Sequence, residues 1–333
     1  MDPTLALTYD STAMTDGVGA QLQRIYGIYA ISRHLGVAYL HTPISRVDYQ
    51  GLTALEGNSG DPEFHREFND VFRIASDFVP AGRFHTLDLP NISLEEFHGL
   101  RALVERGATG GIPCLVRLVM PYGIADGVPD CYEVCRGVSP FASAAHGGEP
   151  LRVAVHVRRG EQVVIDSKRL LPNAYYVSVA RNVARVLDAL GLEYQIELWT
   201  EVPSGDFLVQ PDHPGIAGRI SGPKVISPEM FALDEFEVLP NLVHCLNGRA
   251  IDCLRKLATA DILVMSRSSF SYVGGILNRN GTVLYHPFWH SALSSWITVG
   301  PDGQFDDRQL RNNIEGAQSP LSRLHSAYPV DPV

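Results

Sequence analysis

The sequence predicts an α/β protein built from two Rossmann-like, doubly wound domains facing a cleft. Three observations predict it. The chain has 333 residues, 45% hydrophobic and 19% charged, which suits two domains rather than one. It opens with a strand, a glycine turn and a helix, the first unit of a doubly wound domain. From residue 151 to residue 286 strands and helices alternate, which implies a mostly parallel sheet with right-handed crossovers. The expected division is residues 1–145 for the first domain, 150–300 for the second and 301–333 for a tail.

In the opening unit, Leu5 to Tyr9 is an apolar strand and Asp16-Gly17-Val18-Gly19 a turn. Leu22, Ile25, Tyr26 and Tyr29 then recur at three and four residues, as on an amphipathic helix from Gln21 to Leu35. Residues 42 to 150 are rich in Gly and Pro, with only scattered helical stretches such as Leu94 to Glu105, and acceptor-facing loops are expected there. Ser143 to Pro150 reads as an interdomain linker. Beyond it, Leu151 to Val157 is a strand, and Pro172 stands where a helix start tolerates it. Tyr176, Val179, Val183, Val186 and Leu190 mark one face of the following helix. A strand from Tyr194 to Thr200, a helix from Arg249 to Ala258 and a strand from Ile262 to Ser266 come next. A short helix near Ser271 to Leu277 and a strand from Thr282 to His286 complete the pattern. Ligands are expected beyond the carboxyl ends of these strands, where the loops after Val157, Thr200 and Ser266 lie.

A formal charge of −10 argues against a nucleic-acid partner, which requires a basic face. No apolar run approaches the roughly 18 residues that span a bilayer. Met1-Asp2-Pro3 lacks the start of a signal peptide, so the expected compartment is the cytoplasm, with a Golgi-type chain trimmed of its anchor as the alternative. Five scattered cysteines do not form a disulfide framework, and Cys131 and Cys135 have no second pair with which to hold zinc.

The sharpest signal is Val155-His156-Val157-Arg158-Arg159-Gly160-Glu161, two guanidiniums and a carboxylate directly after a buried strand. Arginine's planar fork matches phosphate oxygens, and its charge persists at any working pH, so it suits a departing diphosphate without a metal. No Asp-x-Asp triplet is present to hold a divalent ion. The competing reading pairs both arginines with carboxylates at a sheet edge. His156 alternates with the valines and faces the other side of the sheet.

His156-Val157-Arg158-Arg159-Gly160-Glu161 resembles the His-x-Arg-Arg-x-Asp motif of the fucosyltransferase superfamily, which comprises alpha-1,2-, alpha-1,6- and protein O-fucosyltransferases. Gly17-Val18-Gly19-Ala20-Gln21 is similar to that family's Gly-x-Gly-Asn-Gln, with Ala20 in place of Asn. Ser268-Ser269-Phe270-Ser271 looks like its Ser-Ser-Phe-Ser. The resemblance covers the first forty residues and most of 150 to 290. It implies a metal-independent, inverting GT-B enzyme without cofactor that takes fucose from GDP-fucose to a glycan hydroxyl. The first domain then faces the acceptor and the second the nucleotide sugar. Arg158 is implied to contact the donor diphosphate, with His156, Arg159, Gly17, Gly19, Gln21 and the serine-rich turn around the donor.

Inverting transfer is a single in-line displacement in which a carboxylate takes the acceptor's proton. Counting along the alpha-1,6 pattern favours Asp166 as that base and leaves Glu161 as a partner of the arginines. Thr200 and Glu201 end a strand where a base or ribose is expected. Two competing readings are the same fold with another nucleotide sugar and a non-catalytic glycan- or nucleotide-binding relative.

Overall fold

The computed structural model describes residues 4–318 except 58–59, 81, 108–109, 111, 142–148 and 214. The first half carries a four-stranded parallel sheet of β1 (Leu5–Tyr9), β2 (Ala38–Leu40), β3 (His85–Leu89) and β4 (Cys114–Leu118), in the order β2-β1-β4-β3. Its helices are α1 (Val18–Leu35), α2 (Leu52–Glu56), α3 (Phe64–Val71), α4 (Leu94–Glu105) and the single turn α5 (Tyr122–Ala125). Residues 42 to 150 therefore contain two strands as well as helices, where loops were expected. β4 alternates buried and half-buried side chains, and β3 lies almost wholly exposed at the sheet edge, so neither is strongly apolar. The expected linker falls mostly within 142–148, outside the described residues.

The second half carries six parallel strands: β5 (Leu151–His156), β6 (Tyr194–Thr200), β9 (Leu242–Leu246), β10 (Ile262–Val264), β11 (Thr282–Tyr285) and β12 (Ile297–Thr298). Between β6 and β9, a two-stranded antiparallel ribbon of β7 (Phe207–Val209) and β8 (Lys224–Ile226) is inserted. The order β12-β11-β10-β5-β6-β9 is that of a dinucleotide-binding Rossmann sheet, with the chain reversing direction across the sheet between β5 and β10. Short α6 (Gln162–Ile165), long α7 (Asn173–Ala189), α8 (Ala250–Ala258), α9 (Ser269–Leu277) and α10 (Asp307–Gln318) complete this half. Two parallel sheets with their helices, set on either side of a cavity, form the GT-B type of α/β fold. Among the described residues no helix is long and apolar enough to cross a membrane.

Apolar periodicity decides most elements. The buried face of α7 is Tyr176, Val179, Ala180, Val183 and Val186, and Pro172 caps its start with extended backbone. α4 starts with a capping box, Ser93 accepting from the Glu96 N–H while Glu96 accepts from the Ser93 N–H. α1 departs from the amphipathic expectation: Gln21, Gln23 and Arg24 are buried along with its apolar residues. The helix is wedged between the first sheet and α9, so a single apolar core runs from β1 and β4 through α1 into α8, α9 and Trp296. A second core lies under α7, and a third joins Leu52 and Leu55 of α2 to Ile216, Ile226 and Phe231 of the other half.

α1 also begins three residues earlier than expected. Gly17 is its N-cap, with φ of −63°, and Gly19 lies in the first turn, so neither supplies a left-handed turn. Gly19 is required for close approach instead. A Cβ there would stand 2.6 Å from the Cα of Phe270 and 2.7 Å from its backbone nitrogen.

Candidate functional site

A cavity of about 650 Å³ lies between the two halves, within the size range of small-molecule sites. Its walls are the start of α1, the segment from Tyr49 to Thr53, and the loops after β5, β6 and β10. The last three leave the carboxyl edge of the Rossmann sheet, and those of β5 and β10 flank its switch point, where ligands of such sheets bind.

β5 delivers Arg158 to this edge. Its side chain, 22% exposed, pairs with the buried Glu161, lies 3.9 Å from Glu201 and rests over the Tyr49 ring at 5.4 Å. Burial works against its charge, yet Glu161, Tyr49 and Glu201 outweigh burial and hold its pKa above the ordinary arginine value. Gly160 makes the turn possible on two grounds. Its φ is +52°, and a Cβ would meet the Tyr49 hydroxyl at 2.6 Å and Glu201 Oε2 at 2.9 Å.

Glu201 ties the halves together. Its Oε2 accepts from the Tyr49 hydroxyl at 2.8 Å and its Oε1 from the Leu52 N–H at 3.2 Å. The side chain remains a third exposed, and its pKa is raised, chiefly by burial, with the Arg158 charge opposing. Neighbouring Thr200 donates to the Val157 carbonyl at 2.8 Å, locking the end of β6 to that of β5. His156 is buried against Phe270 and exchanges a 2.8 Å hydrogen bond with Ser266 through Nδ1. Burial first, and the Arg158 charge second, push its pKa down to about 3, so it is a neutral imidazole. Arg159 points away from Arg158, donating to the Arg158 carbonyl and to Asn173 and lying 5.8 Å from the Tyr176 ring centroid. It contributes to the wall and braces the start of α7.

At β10, Ser268 caps α9 by accepting from the Phe270 N–H at 3.2 Å. Ser268, Ser269 and Phe270 reach the cavity, as do Gly17, Gly19, Thr200 and Glu201. Three expected residues do not. Gln21 is buried beneath the wall, donating to the carbonyls of Asp16 and Arg46. Ser271 is fully buried, its hydroxyl shared among Ser266 and Ser268. Asp166 lies off the cavity wall and accepts from the Lys168 N–H at 3.2 Å, capping the turn Ser167–Arg169.

No protein-family model matches the chain. No curated protein matches it either. Solved structures similar to it include the E. coli ADP-heptose lps heptosyltransferase II, with 12% identity, a TM-score of 0.37 and coverage of 95% of this chain and 99% of that one. E. coli heptosyltransferase WaaC with ADP is also 12% identical, with a TM-score of 0.40 and coverage of 94% and 99%. A glycosyl transferase of family 9 from Veillonella parvula is 11% identical, with a TM-score of 0.39 and coverage of 94% and 96%. The sheet order itself carries the fold assignment.

Several wall residues carried no sequence signal. Tyr49 is 152 positions from the Glu201 it binds. Asp16 joins the wall through a paired bond to the buried Arg24, at 2.7 and 2.8 Å. Arg169 follows Lys168, and Arg219, Arg249 and Arg267 have no basic neighbour in sequence, yet all four converge on the cavity with Arg158 and Arg159. Among the described residues no group of three or more His, Cys, Asp or Glu is placed to hold a metal ion, and the five cysteines are free thiols.

Proposed function

We propose that this chain is an inverting glycosyltransferase whose cavity binds a nucleoside-diphosphate sugar. The observation that carries the reading is the convergence of Arg158 and the Ser268–Phe270 turn at the switch point of the Rossmann sheet, in a cavity closed by the other half. The resemblance of these two segments and of Gly17 to Gln21 to fucosyltransferase motifs favours GDP-fucose as donor and a glycan hydroxyl as acceptor.

In the transfer, the acceptor oxygen bonds to the anomeric carbon as the bond from that carbon to the phosphate oxygen breaks. The electron pair leaves with the nucleoside diphosphate, and the acceptor's proton passes to a carboxylate. Arg158 faces the developing negative charge with a guanidinium that no working pH discharges. Glu201 suits the base better than Asp166: it is on the wall, partly solvated, and burial raises its proton affinity. His156, neutral and held by Ser266, offers Nε2 as a hydrogen-bonding group without charge.

Calorimetric titration of wild type with GDP, GDP-fucose, ADP and UDP in chelator-containing buffer tests the reading. Binding of GDP and GDP-fucose in preference to the others supports the fucose donor. Binding of another nucleotide replaces the donor while keeping the chemistry, and binding of none removes the nucleotide-sugar reading.

A further inference from the structure

The charges on the cavity wall fall into two groups. In the first, every arginine has a carboxylate or a fixed structural duty. Arg158 is flanked by Glu161 and Glu201, Arg249 pairs with Glu67 and Asp252, and Arg159 is spent on Asn173 and a carbonyl. The charges of Arg158 and Arg249 are compensated before any ligand arrives, and the Arg159 guanidinium is fixed in place by neutral partners.

The second group is Arg169, Arg219 and Arg267, which also line the cavity and have no ion pair with a carboxylate among the described residues. They come from three separate segments: the turn after α6, the β7–β8 ribbon, and the residue before the α9 cap. Yet they gather around one point. Arg267 donates to the Lys168 carbonyl at 3.5 Å, next to Arg169. Arg169 loses proton affinity through burial first, then through the positive charge of Arg158 and, less, of Arg219, with Asp166 and, more weakly, Glu161 opposing, so these guanidiniums feel one another.

Two of the three are held without an ion pair to a carboxylate. Arg169 lies over the Trp289 ring at 4.4 Å, a cation–π contact that fixes its plane and leaves its charge in place. Arg267 is anchored by a carbonyl, and its Nε–H is shielded from solvent with no partner. Three neighbouring guanidiniums with no ion pair to a carboxylate repel one another, and an anion placed among them removes that repulsion. They also stand beside Ser268 and Ser269 at the start of the nine-residue helix α9.

We infer that Arg169, Arg219 and Arg267 form the anion subsite that receives the phosphates of the donor and neutralises the diphosphate as it leaves. This rests on the reading of the cavity as a nucleotide-sugar site and deepens it. Arg158 then serves as one flank of the diphosphate, with its charge tempered by its two acids. The competing occupant, an anionic group on the acceptor, separates experimentally because it leaves nucleotide affinity untouched.

The experiment is calorimetry of GDP, GMP and guanosine against wild type, Arg169→Gln, Arg219→Gln, Arg267→Gln and the triple variant, at two salt concentrations. Guanosine carries the base and ribose without phosphate, so the ratio of its dissociation constant to that of GDP isolates the phosphate subsite. The expected result is a loss of about tenfold or more in GDP affinity for Arg267→Gln, a larger loss for the triple variant, and unchanged guanosine affinity. The salt dependence of GDP binding should weaken in step. A triple variant that binds GDP within about threefold of wild type overturns the assignment, while wild-type binding preserves the nucleotide-sugar reading. Wild type that binds none of GDP, ADP and UDP overturns both. The three side chains are exposed or half-buried, and circular dichroism of each variant checks that the fold is retained.

Discussion

Replacing Gly19 by alanine tests the packing that sets the site. The added methyl would lie 2.6 to 2.8 Å from the Cα, N and Cβ of Phe270, and the first two are backbone atoms that no rotamer change moves. Ordinary carbon contacts need about 3.5 Å, so α1 and α9 must part by roughly 0.9 Å along this line. Separation of that size forfeits about a quarter to a half of the attraction between side chains that stay across the gap. Overpacking of a fixed core costs about 1–3 kcal/mol, and a contact against backbone belongs at the upper end. Gly17→Ala is the matched control: its nearest neighbour is Tyr49 Cδ1 at 3.9 Å, and its φ of −63° suits any residue. The control should change stability by no more than about 1 kcal/mol. Urea unfolding of both variants gives the comparison, with GDP calorimetry as a second readout because Phe270 opens the helix that presents Ser268 and Ser269. If Gly19→Ala unfolds within about 0.5 kcal/mol of Gly17→Ala, the close approach of the helices does not govern this interface.

Four further outcomes follow from the site. Glu201→Gln should lower kcat by about a hundredfold or more while Asp166→Asn changes it less than about threefold; the reverse ranking in a donor-saturated transfer assay restores Asp166 as the base. In wild type, activity should fall as acid protonates Glu201, with the limb above pH 4.5 because burial raises its pKa; a limb at the ordinary glutamate value would discount Glu201. Tyr49→Phe removes the hydroxyl that Glu201 accepts from, a charge-assisted bond of about 1.5–3 kcal/mol, and should expose the 49–56 segment to limited proteolysis; unchanged cleavage would show that the apolar contacts of Leu52 and Leu55 suffice. His156 makes the fold sensitive to acid. Its folded pKa of about 3 lies below the ordinary 6.5, so between these values the unfolded chain binds a proton that the folded chain does not. Stability is therefore lost as pH falls through that window, by about 2 kcal/mol between pH 7 and 5, and His156→Gln should flatten the slope in urea midpoints.

What the sequence revealed depended on whether a residue's role is local. β1, α4 and β6 follow from apolar periodicity within their own residues, and their bounds match the expected ones. The edge strand β3 buries almost nothing, and α10 is largely polar, so neither shows a strong apolar pattern. Gly19 was visible as a glycine, but a close approach to a backbone 251 positions away looks, in sequence, the same as a tight turn. Arg158 was legible because a strand and a second arginine flank it. Arg169, Arg219 and Arg267 were not, because they lie far apart in the chain and only the crossovers of the sheet bring them to one cavity. Asp166 shows the opposite case: counting from a motif reaches a position in the chain, while the turn Ser167–Arg169 directs its carboxylate to its own backbone.

The same geometry explains why the two halves act as one site. Tyr49 and Leu52 donate to Glu201 from the first half, and Glu67 of α3 pairs with Arg249 at the start of α8, so polar ties cross the cavity on two walls. Behind them, the α1–α9 contact belongs to a continuous apolar core. A cleft held this way has a largely preset width, which lowers the entropy that a flexible ligand loses on being fixed there. It also sets two groups of arginines on the wall: Arg158, flanked by Glu161 and Glu201, and Arg169, Arg219 and Arg267, which have no ion pair among the described residues. On the proposed reading the phosphates lie among the second group with Arg158 at one flank, and the acceptor hydroxyl loses its proton beside Glu201. On that reading, the division of charge, more than any single arginine, gives the cavity a direction along which a sugar would pass from phosphate to acceptor.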